Sequence, residues 1–124
     1  MKSVLKSIVL ASACITLALA SFSFHSYAQA EGKTLSESKE FLWIRANQRI
    51  LLKKLKDPDS AKFSDEYVSY KVGGPIVCGK VNSKNSFGGF TGPKYYIGGG
   101  DTVGVFTEEE VDGFADLWKK VCAR

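Results

Sequence analysis

The chain has 124 residues, with 17 lysines and arginines against 13 aspartates and glutamates, three cysteines and a single histidine. That length holds one small domain whose core is limited enough for a covalent staple to matter. The net charge of +4 is too weak to argue for nucleic acid as a partner.

The first thirty residues read as a targeting segment. Lys2 and Lys6 form a positive start, residues 7–24 are largely apolar, and Ala28-Gln29-Ala30 has the small-x-small form that signal peptidase reads. Cleavage after Ala30 makes Glu31 the new N-terminus and places the protein in the periplasm or outside the cell. Two other readings stand beside it. The apolar run approaches the length of an uncleaved anchor, and Ala11-Ser12-Ala13-Cys14 loosely resembles a lipid-attachment box. The serines at 7, 12, 21 and 23 weaken the span, and Cys14 sits early, with more apolar residues after it.

Cleavage divides the chain into a signal peptide, 1–30, and a single α+β domain, 31–124, with no stable membrane span. Lys2 and Lys6 leave with the signal, so 15 basic residues face 13 acidic ones in the 94 that remain. His25 leaves too, which removes imidazole as a base or ligand and with it serine or cysteine triads and most zinc sites. Cys78 and Cys122 stay, and two cysteines in an exported domain read as one disulfide. It closes a loop of roughly 45 residues, for which the chain-entropy model gives about 4 kcal/mol.

Thr34 and Glu37 have capping-box spacing, and the helical pattern runs from there to Lys56, ahead of Pro58. Phe41, Ile44, Leu51, Leu52 and Leu55 share one face at 100° per residue, with Gln48 in its middle as a core amide. Trp43 and Ile50 fall on the opposite face amid Arg49, Lys53, Lys54 and Lys56. Either another element covers them or they meet a partner or a membrane surface. Asp57-Pro58-Asp59-Ser60 is a turn by its chemistry; it lacks the further oxygen ligands, the glycine and the distal glutamate of a calcium loop.

From Ala61 the pattern alternates through Phe63, Val68, Tyr70 and Val72, with a slip at Asp65 and Glu66 that predicts a bulge. Gly73-Gly74-Pro75 turns the chain into a strand from Ile76 to Asn82. Gly74 to Lys80 imitates half of a phosphate loop, but Val81 stands where a magnesium-binding hydroxyl belongs and the stretch reads as strand. A polar, glycine-rich loop follows, Ser83 to Pro93, then strands near Lys94–Gly98 and Thr102–Phe106 joined by Gly99-Gly100-Asp101. Thr107 and Glu110 repeat the capping-box spacing and predict a last helix with Val111, Phe114, Ala115, Trp118, Val121 and Cys122 on one face. The expectation is an α+β domain ordered as helix, three or four antiparallel strands, helix, with both helices on one face of the sheet and the disulfide tying the last helix to strand 76–82.

The segments DPDSAKF and VCGKVNSKNSFGGFTGPKYYI resemble a recurring pattern in small exported proteins of bacteria and their phages, DPxSAxF followed by VCGxVNxKNxxGGYxG and an aromatic strand. Phe90 stands where that pattern carries tyrosine. The resemblance spans roughly residues 55–98 and implies a fold unit and a bacterial source, not an activity.

The stretch that carries the most chemistry is 82–96. Asn82, Lys84, Asn85 and Ser86 supply hydrogen-bonding groups of both kinds, and Phe87, Phe90, Tyr95 and Tyr96 supply flat apolar area. The mixture suits recognition of an envelope protein or a cell-wall glycan by a non-enzymatic binding module without metal or cofactor. The alternative is a small hydrolase of envelope glycans using carboxylates such as Asp65, Glu66 or Asp101.

Overall fold

The computed structural model describes residues 34–124; the segment expected to be a signal peptide, Cys14 and the cleavage expected after Ala30 lie outside the described residues. The order is α1 (Glu37–Leu52), a 3-10 turn (Pro58–Ser60), β1 (Lys62–Ser69), β2 (Ile76–Asn82), β3 (Lys94–Gly98), α2 (Gly100–Val103), β4 (Val105–Thr107) and α3 (Phe114–Val121). The strands form one antiparallel meander in sequence order. The fold is α+β, and Cys78 and Cys122 are bonded, with their Cα atoms 5.8 Å apart. Among the described residues no helix is long and apolar enough to cross a membrane.

Alternation along β2 assigns the two faces of the sheet. Val77 and Val81 join Leu51, Tyr96 and Val105 in a core roofed by α1. Cys78 joins Ile97, Phe114, Val121 and Cys122 in a second core under α3. The helices therefore lie on opposite faces, not on one face as expected. The bulge explains part of that error: register shifts between Ser64 and Tyr67, with Asp65 at φ 53°. Phe63 and Val68, five residues apart, both pair with residues of the α1 face, while Tyr67 pairs with Cys78 on the other.

The first helix is shorter than its periodicity predicts. Thr34 stays outside because the Leu35 amide donates to the Tyr70 hydroxyl at 2.9 Å, holding the entry extended. Ser36 is then the N-cap, without a side-chain cap, and Glu37 and Glu40 sit favourably at the positive end. Beyond Leu52 the backbone closes into tight turns, with Lys54 N bonded to Leu51 O. The buried face is also rotated from the predicted one. Asn47, Gln48 and Leu51 are buried, whereas Phe41 is 62% exposed. Trp43 sets the rotation: its indole N–H donates to Pro75 O at 3.2 Å, and its ring covers Gly100 so closely that a Cβ there would lie 2.4 Å away. Trp43 and Ile50 are thus covered by the molecule itself and pack against the α1-side core.

Two further boundaries differ from expectation. The strand predicted over 102–106 begins only at Val105, because Gly100, at φ 77°, starts the single helical turn α2. The last helix starts at Phe114, not Thr107, because Gly113 at φ 73° breaks the chain just before it. The Thr107–Glu110 contact does form, with Thr107 N donating to the Glu110 carboxylate at 2.8 Å, but it closes a turn. On α3 Leu117 packs on the core beside Phe114, Trp118 and Val121, while Ala115 is exposed.

Candidate functional site

The β2–β3 connection is a fixed loop. Lys84 and Phe90 bridge its two arms, and Asn85 N donates to Gly89 O at 2.8 Å. The Asn85 side-chain oxygen accepts the amides of Phe87 at 3.0 Å and Gly89 at 3.1 Å, an Asx turn that fixes the tip. Gly88 sits at φ 79° and Gly92 at φ 96°, where a side chain would strain the backbone. Below the tip, Ser60 Oγ accepts the Lys84 amide at 2.8 Å and donates to Asp57 O at 2.7 Å. The DPDS turn is therefore the footing of the loop.

That rigidity presents Phe87 almost wholly to solvent, at 97% exposure. Phe90, at 43%, has the Lys62 and Lys84 amines over its ring at 4.9 and 5.6 Å, an arrangement in which the ring quadrupole attracts cations. Asn85 and Ser86 are exposed beside them, although the Asn85 oxygen is used by the loop itself.

The other sequence-predicted residues are placed elsewhere. Tyr96 is fully buried, with its ring edge-on to Phe63 at 5.9 Å and its hydroxyl bonded to Glu66, so it has no surface to offer a ligand. Burial first, then that bond, pushes its phenol far above the ordinary value, and it remains a donor. Asn82 Oδ1 is buried and has no hydrogen-bond partner among the described residues. Tyr95 alternates to the α3 face, tilted against Trp118 with centroids 4.7 Å apart. There Val111, Phe114, Trp118 and Tyr95 line a shallow depression of about 650 Å³.

The carboxylates do not form a pair. Asp65 bonds Lys80 at 2.9 Å. Glu66 turns the opposite way, under α1, where Gln48 Nε2 reaches both of its oxygens at 2.9 and 2.8 Å. Gly79 makes room for this contact, since a Cβ there would lie 2.8 Å from Glu66 Cγ. Asp101 is on α2. Among the described residues no group of His, Cys, Asp and Glu is placed to hold a metal.

A groove that the loop reading did not include lies between the loop and the C-terminal end of α1. It encloses about 410 Å³, with Leu51, Leu55 and Val81 among its apolar lining and four lysines, Lys54, Lys56, Lys84 and Lys94, around it. Lys54 bonds Val105 O at 2.7 Å and Glu110 at 2.9 Å, and Lys94 pairs with Glu109 at 2.6 Å. Burial raises the Glu110 carboxyl, but the Thr107 amide and Lys54 outweigh it and hold the group below its ordinary value. The run of lysines ending α1 was the available signal; its proximity to Lys84 depends on the tertiary fold. Comparison with protein-family models, curated proteins and solved structures finds no match to this chain.

Proposed function

We propose that this chain is a small exported binding module of the bacterial envelope, recognising a protein or a cell-wall glycan through the exposed part of the loop 82–96, residues 83–94. One observation carries the reading: a phenylalanine at 97% exposure stands on a tip whose backbone is held by four hydrogen bonds made by Asn85. A large apolar side chain held out in water on a fixed backbone costs solubility and gains no core contact. An aromatic on a fixed backbone is also what binding surfaces use as an anchor, because the main chain loses little conformational freedom on association. Phe90 and the amines of Lys62 and Lys84 extend the surface beside it.

Export is part of the proposal. It is supported by the small-x-small pattern at residues 28–30 and by a disulfide, which persists in oxidising compartments. The hydrolase alternative receives no support, since Asp65 and Glu66 point to opposite faces of the sheet.

The test is a titration of isotope-labelled exported protein with solubilised envelope proteins and, separately, with wall glycan fragments, followed by amide NMR. Shifts concentrated at residues 83–94 are expected with one of the two. Shifts confined to the Tyr95–Trp118 depression, or none with either, would contradict the reading.

A further inference from the structure

The groove beside the loop has a charge pattern that a neutral partner would not need. Two of its four lysines are neutralised in place, Lys54 by Glu110 and Lys94 by Glu109. Lys56 and Lys84 have no carboxylate partner among the described residues, and the aspartates at 57 and 59 in the adjoining turn form no ion pair with them. The groove therefore carries two uncompensated amines around a space of about 410 Å³, within the range of roughly 300–1,000 Å³ that holds small ligands. Ser83, Ser86 and Thr91, each bearing a hydroxyl, line the same space.

We infer that this groove binds an acidic saccharide, a sugar unit bearing a carboxylate or phosphate, with the anion received by Lys56 and Lys84 and the sugar hydroxyls by the serine, threonine and glutamate groups around it. The inference rests on the loop being the binding surface, of which the groove forms one side. A saccharide is favoured over an acidic peptide because the edge strand beside the groove, β4, is only three residues long and gives its Val105 carbonyl to Lys54, while β2 and β3 are both interior, each hydrogen-bonded on both sides. No free edge of either is left for an extended chain to pair with, which is the usual way a peptide gains main-chain bonds on a sheet. The density of donors and acceptors on a limited apolar floor matches the alternating hydroxyl and C–H surfaces of a sugar.

The experiment measures affinity of the exported protein for four probes: trigalacturonate, glucose 1-phosphate, uncharged maltotriose and triglutamate. A charge-assisted hydrogen bond is worth enough to cover a decade in affinity. At least one acidic sugar is therefore expected to bind about tenfold or more tighter than maltotriose, to weaken by a similar factor in Lys56→Gln and in Lys84→Gln, and to weaken as salt is raised. Maltotriose binding as tightly as the acidic sugars, triglutamate binding equally well, no binding of either acidic sugar, or indifference to both substitutions would each overturn the inference. A Phe87→Ser variant separates the two levels. If it loses capture of envelope material while the lysine variants keep it, the loop reading stands and the acidic-sugar inference fails. If neither kind of variant changes capture, both fail.

Discussion

Asn47 is a polar residue in the middle of a helix, fully buried, and each end of its amide is used. Its Nδ2 donates back to Trp43 O at 2.9 Å, and its Oδ1 accepts the buried Gly100 amide at 2.8 Å, fixing the one-turn helix α2 against α1. Gly98 leaves the space that this requires, since a Cβ there would sit 2.4 Å from the same oxygen. Asn47→Ala strands the Gly100 N–H without a partner and is expected to lower unfolding free energy by about 1–3 kcal/mol, measurable as a fall in the urea midpoint at unchanged slope. The sequence allowed Gln48 to be read as a core amide, and its bonds to Glu66 agree. Asn47 was not legible, because its role depends on a glycine 53 positions away. The same applies to Tyr96: alternation places it on a strand but cannot say which face is the dry one.

The last helix shows how one element is held from several sides. Every second residue on one side of β1 and just past it reaches the end of α3: the Tyr67 hydroxyl bonds Cys122 O, Ser69 Oγ bonds Val121 O, and the Lys71 amine bonds Ala123 O at 2.7 Å. These carbonyls lack intrahelical partners, so the strand acts as a C-cap. The disulfide adds a covalent tie across 44 residues. Replacing Cys78 and Cys122 by alanine is expected to cost about 4 kcal/mol by the chain-entropy model, a large part of the roughly 5–15 kcal/mol that stabilises a small domain. Chemical denaturation measures this; a midpoint equal to that of the oxidised wild type would show that the side-chain clamps suffice alone. The bulge, strand β2 and the disulfide were all readable before the structure. The opposite placement of the helices was not drawn from the sequence, although a signal existed. Residues 76–78 are apolar on both parities, and a strand buried on both faces needs cover on both. The starts of α3 and β4 were missed because Gly100, read as a simple linker, and Gly113, read as lying inside the last helix, take positive φ and impose their own turns.

At the scale of the molecule, the segments DPDSAKF and VCGKVNSKNSFGGFTGPKYYI meet in space. Phe63 pairs with Val81 and Ser60 supports Lys84. Much of the two segments thus builds the loop and its footing, while Phe87, Ser86 and the lysine amines are left facing outward. The loop was legible as a candidate because Asn, Gly and aromatic residues cluster within it. The groove was not, since the end of α1 approaches Lys84 only after the sheet has formed. Export predicts a mature chain beginning at Glu31, and intact-mass measurement on the secreted or periplasmic protein checks it; retention of residues 1–30 or a lipid on Cys14 would refute it. The most direct test of the central claim is capture of envelope material by the immobilised protein, wild type against Phe87→Ser. Phe87 buries almost nothing, so the variant is expected to melt within a few degrees of wild type yet to lose the captured partner. Equal capture by the two proteins at matched melting temperatures would contradict the loop as the binding surface.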